Sequence, residues 1–179
     1  MKTATKVVLL VMLLSLVASA RRRDPLTEAE ADQLREVATE PYKRLKLFIK
    51  FSEARLLAID QVRVDPKLAQ GRGKQIHDLL EDFTALLDEI NDNLDQYQGR
   101  PLSKDDRKDF KKGLKEVIEA DERFDLKLRT LQSATQTDPE LKKDYPDFRF
   151  VLQDAQEALK SDAEMAREYM ETEPEEKKK

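Results

Sequence analysis

Asp121 and Asp162 are the two residues of this sequence placed to do chemistry from inside a fold. Asp121 continues an apolar stripe between Ile118 and Phe124, and Asp162 continues another between Leu159 and Ala166. If both stripes face one core, the two acids form a paired-carboxylate site of shifted pKa or bind a cation. A buried charge without a partner is costly. The expectation is therefore the plainer arrangement, with both acids at the rim of narrow stripes and paired with Arg123, Lys127 or Arg129. Asp121 and Asp162 are the candidates for a buried carboxylate or cation site, and no catalytic, cofactor-binding or metal-ligating residue is assigned beyond them.

His77 is the single histidine of the chain, which has no cysteine. It sits beside Ile76 and is expected at the boundary of a helix stripe, since one histidine without cysteine is rarely a metal site. A carboxylate-bridged di-iron bundle needs two Glu-x-x-His pairs, and Lys74 stands three residues before His77. Haem held between His77 and Met165 or Met170 is chemically allowed, but helical methionine is far more often core filler. Gly71-Arg72-Gly73-Lys74 lacks the first glycine and the final Ser or Thr of a phosphate loop. Asn91 to Asp95 is calcium-like in composition but lacks the spacing and the glycine of a calcium loop. No nucleophile motif of the Gly-x-Ser-x-Gly type is present. The expectation is a protein that is not an enzyme and carries no cofactor.

The elements that position these residues read as helices. Hydrophobic residues make up 39% and charged residues 39%, with only 4 Gly and 7 Pro, and no stretch alternates in the manner of a strand. Thr27 and Glu30 form a capping box for a first helix, which Pro41 kinks or restarts. From Tyr42 to about Val64 the chain is apolar over a wide arc, as suits a central helix covered on most sides. Asp65-Pro66 and Gly71 to Gly73 bracket a loop. Lys74 to Gln98 then carries Ile76, Leu80, Phe83, Leu86, Leu87, Ile90 and Leu94 on one stripe, closed by Gly99 as a left-handed cap and Pro101.

Ser103 and Asp106 start the next helix, which reaches about Ala134. Thr135 to Pro146 reads as a connection holding one helical turn, after which Pro146 or Asp147 starts a last helix that ends near Met170. The fold class is all-α: an antiparallel bundle of about four long helices, the first kinked near Pro41, with residues 171–179 a disordered acidic and basic tail. Charge suggests one pairing. Lys43, Arg44, Lys46, Lys50 and Arg55 on the first long helix oppose Asp78, Glu81, Asp82, Asp88, Glu89, Asp92 and Asp95 on the next.

Residues 1–20 differ from the rest. Lys2 and Lys6 precede an apolar run, Val7 to Val17, and Ala18-Ser19-Ala20 offers a cleavage site, so residues 1–20 read as a signal peptide and 21–170 as the bundle domain. Arg21 to Arg23 resist translocation, and retention of the segment as an anchor is the alternative. Removing residues 1–20 takes two of the 33 basic residues and none of the 37 acidic ones, which leaves a net charge of −6. That balance argues against a nucleic-acid partner. The expected protein is exported, periplasmic or extracellular, and non-catalytic. It would contact a protein or envelope component; a small-ligand- or cation-binding bundle is the alternative, and peripheral membrane contact through Lys43 to Phe51 a third.

Overall fold

The computed structural model describes residues 24–98 and 101–172. Residues 1–20, read above as a signal peptide, Gly99, expected as a cap, and the chain after Thr172 lie outside the described residues. Within them every element is helical: α1 (Glu28–Glu36), α2 (Pro41–Val64), a 3-10 turn (Pro66–Leu68), α3 (Arg72–Gln98), α4 (Lys104–Thr137) and α5 (Pro139–Thr172).

The starts follow local chemistry. The Thr27 side chain accepts from the Glu30 amide at 3.3 Å while Glu30 Oε2 accepts from the Thr27 amide at 2.8 Å, which closes the capping box of α1. The helix breaks over Val37 to Glu40, and Pro41 becomes the first residue of α2. There its missing N–H is an orphan in any case, so the proline restarts the helix without loss. Ser103 caps α4 by accepting from the Asp106 amide at 3.2 Å.

Long-range partners fix the topology. Tyr42 reaches Glu116, Glu53 reaches Arg123 and Asp60 reaches Lys127, so α2 and α4 run parallel. Arg72 pairs with Asp144, and Tyr169 donates to Asp95, so α3 and α5 are parallel too. The hairpins α2–α3 and α4–α5 are each antiparallel, as short connections require, and the two hairpins pack side by side. Consecutive α3 and α4 are not neighbours in this ring. They meet across the core through ring contacts, Phe83 edge-on to Phe124 at 5.4 Å and Tyr97 stacked on Phe110 at 5.2 Å.

Three sequence readings need correction. The last helix begins at Pro139 and contains Pro146, where a connection is expected. Asp138 Oδ1 accepts from the Glu140 amide at 2.9 Å and the Leu141 amide at 3.3 Å, and Leu141 is fully buried, so capping and packing outweigh the hydrogen bond that Pro146 removes. The helix also continues through Glu171 and Thr172, which the sequence reading assigns to the tail. Third, α2 is not central: Leu57 and Val64 stand exposed on it, while α3 buries its whole stripe from Ile76 to Leu94. The wide apolar arc of α2 is explained by three neighbours, α1, α3 and α4.

Two glycines mark close approaches. A Cβ on Gly73 would stand 2.5 Å from the Asp147 carboxylate and 3.0 Å from the Asp144 carbonyl, and one on Gly113 would stand 2.9 Å from Leu45. Each lets neighbouring helices of parallel direction come together.

Candidate functional site

Asp121 on α4 and Asp162 on α5 both face inward, with 3% and 0% of their surfaces exposed. The cations that would hold them at the rim have other partners: Arg123 binds Glu53, Lys127 binds Asp60 and Arg129 binds Asp125. The rim arrangement expected from the sequence is therefore overturned, because the exposed cations pair with exposed acids at their own height. As carboxylates, none of the four oxygens of Asp121 and Asp162 meets a hydrogen-bond donor among the described residues. Once one carries a proton, the protonated Asp121 donates to Asp162.

The electrostatics follow from that burial. Loss of hydration pushes the Asp121 carboxyl up to about 9; the Asp162 charge adds to this, Arg167 opposes it and Glu122 contributes a little. Burial likewise pushes Asp162 up to about 7, against the stabilising hydrogen bond from Asp121 and with the Asp88 charge adding. The two protons belong to the pair rather than to either residue. On its solvent side Asp121 borders a groove of about 210 Å³ between α4 and α5, walled by Asp125, Arg129, Leu159, Lys160 and Arg167.

A second buried charged group is fully satisfied. Arg55, in the middle of α2, donates from Nη1 and Nη2 to the two Glu30 oxygens at 2.8 and 2.6 Å, and from Nη2 to the Pro25 carbonyl at 2.6 Å. Its Nε lies 3.7 Å from Asp82 on α3. The Arg55 hydrogen bond is the main cause that holds Glu30 down at about 2. This cluster is structural, tying α1 to the first hairpin. The sequence signal for it is an arginine inside the apolar arc of α2, beside Leu56. Charge matching between the first two long helices holds for Arg55 with Asp82; Lys46 instead lies 3.8 Å from Glu116, and Lys50 turns to Gln33.

The other sequence candidates disperse. His77 is half-buried on the surface of α3, with Nδ1 3.5 Å from Asp78 and 3.8 Å from Glu81. Its ligand atoms and those of the two acids lie within 4.8 Å of one another, but all three belong to neighbouring positions of one exposed helix face. Because α3 and α5 are parallel, His77 is about 20 Å along the bundle from Met165, which rules out their sharing a haem. Gly71 forms a turn and Arg72 already belongs to α3, its Nε donating to Asp144 at 2.6 Å. Arg72 is thus already engaged by Asp144 rather than aimed at a phosphate. Asn91 to Asp95 is continuous helix. The apolar residues of the Lys43 to Phe51 segment, Leu45, Phe48, Ile49 and Phe51, are in the core.

No protein-family model matches this chain, and no curated protein or solved structure matches it either.

Proposed function

We propose that this chain is a non-catalytic helical module, exported to the periplasm or the cell exterior, that acts by binding a protein or envelope component through its outer helix faces. One observation carries the reading: Leu57 and Leu126 stand 54% and 66% exposed on the adjacent parallel helices α2 and α4. They lie at the same height, between the ion pairs Glu53–Arg123 and Asp60–Lys127. Apolar side chains ringed by charge are what a partner surface engages, since the ring excludes water from the central contact. Phe150, 62% exposed beneath the Arg149 guanidinium at 4.2 Å, adds a second such point on α5.

A photo-crosslinking side chain at position 126, in cells that make the full chain, tests this reading. The expected result is one discrete adduct in the envelope or medium fraction, lost in a Leu57→Ser variant whose melting temperature is unchanged. No adduct from position 57, 126 or 150 would reject it. Intact mass of the same material should begin at Arg21; a mass that retains residues 1–20 means an anchored protein.

The alternative, a bundle that binds a small ligand or cation, is favoured by the donor-free acid pair.

A further inference from the structure

We propose that Asp121 and Asp162 form a proton-binding site, in which a proton shared between the two carboxylates holds the α4–α5 seam closed and its loss loosens that seam. The geometry carries this. Two carboxylates from different helices are withdrawn from water, and their four oxygens face no donor among the described residues. Two such anions repel each other where little solvent screens them. A single proton removes the repulsion and creates a hydrogen bond to a charged acceptor, of the strong kind.

The surroundings favour a proton over a metal ion. The groove that reaches Asp121 carries Arg129, Lys160 and Arg167 against Glu122 and Asp125, so its wall supplies no excess negative charge to hold a cation beside the pair. A calcium ion takes six to eight oxygen ligands, and the pair supplies at most four. The charges facing the pair come from three helices: Glu122 on α4 and Arg167 on α5 beside Asp121, and Asp88 on α3 beside Asp162. Glu122 and Asp88 add repulsion when the proton leaves, and Arg167 relieves part of it.

The site makes the second hairpin pH-responsive in one direction. Both carboxyls bind protons more tightly in the fold than in the unfolded chain, whose acids titrate near 3.8. The pair's contribution to stability is therefore greatest below that value. It declines as pH rises, until both folded-state carboxyls have lost their protons. What loosens is the seam that holds the groove, so alkaline conditions alter this face and acid conditions fix it. The proton site stands whether or not the outer faces carry a partner.

The test uses the full chain. Since the sequence has no cysteine, Lys115→Cys and Glu168→Cys place spin labels across the seam, level with each other and about 9 Å along the helices from the pair. Between about pH 6 and about pH 10 the distance distribution should broaden in the parent and stay narrow with Asp162→Asn. Independently, infrared difference spectra of the unlabelled parent near pH 8 should show a protonated carboxyl band that Asp121→Asn removes. A missing band, or a distribution that keeps its width to about pH 10, overturns the proposal. So does tightening by millimolar calcium that a chelator reverses and Asp121→Asn abolishes, because the pair would then be a metal site.

Discussion

The two hairpins bury charge in opposite ways. In the first, Arg55 is sealed between α1, α2 and α3, but its donors meet Glu30 and the Pro25 carbonyl, with Asp82 nearby. In the second, Asp121 and Asp162 are buried between α4 and α5 with no donor among the described residues. Burial is comparable; satisfaction differs. A paired buried charge fixes the chain geometry around it, and removing one partner leaves the other stranded. An unpaired acid pair remains only by binding a proton, so the second hairpin weakens as pH rises where the first does not. Deletion of a buried charge should therefore destabilise one hairpin and stabilise the other.

Arg55→Met is the strongest way to break the comparison. It takes the guanidinium away from the part-buried Glu30 carboxylate and from Asp82, and should cost about 3–5 kcal/mol in chemical denaturation. A loss below about 1 kcal/mol would mean that the cluster is solvated and not a true counterpart of the acid pair. Leu87→Ala calibrates the scale. Leu87 is fully buried in the stripe of α3, and its truncation should cost about 2–5 kcal/mol through lost transfer energy and a cavity. If Arg55→Met costs as much as this, the paired cluster matters to the first hairpin as a full core residue does.

Acid and base separate the two regions next. Glu30, held at about 2, contributes stability that is fully present above its unfolded value of 4.5 and is lost as pH falls through about 2. The acid pair behaves oppositely and weakens the fold as pH climbs from 3.8 through about 7 to about 9. Asp162→Asn should consequently raise stability at about pH 8 by on the order of 1 kcal/mol or more, and do nothing at about pH 3. Melting curves of parent and variant across this range read both effects, and equal shifts at the two pH values would show that the gain has another origin. The smallest effect is the sharpest. Thr27→Ala removes half of the capping box and should cost about 1 kcal/mol. Because Glu30 keeps Arg55 as a donor in this variant and loses it in the double variant, the cost should grow when Arg55→Met is already present. A double-mutant cycle shows whether cap and ion pair share that carboxylate.

Much of the molecule was legible locally. Helix existence, the capping box at Thr27, the restart at Pro41, the Ser103 cap and the apolar stripes all follow from short-range backbone chemistry and a 3.6-residue period. So did the pairing of Arg55 with Asp82, because consecutive helices joined by a short loop must lie alongside. Periodicity even placed Asp121 and Asp162 on inward stripes. It does not say whether a stripe is wide enough for its edge to be dry, and that depends on what lies against it.

Tertiary structure decided the rest. It set two antiparallel hairpins side by side, with α3 diagonal to α4. No local signal encodes this, because the fit of side chains across the core chooses the neighbours. It also kept Pro146 inside α5, where burial of Leu141 and Phe148 on either side outweighs one missing hydrogen bond. And it gave Arg123, Lys127 and Arg129 partners other than the two acids. The sequence by itself determined that helices would form and which faces would be apolar, since both are properties of one chain segment. Which charges would be buried, and which of them left without a partner, depends on residues far apart in sequence, and only packing brings those together.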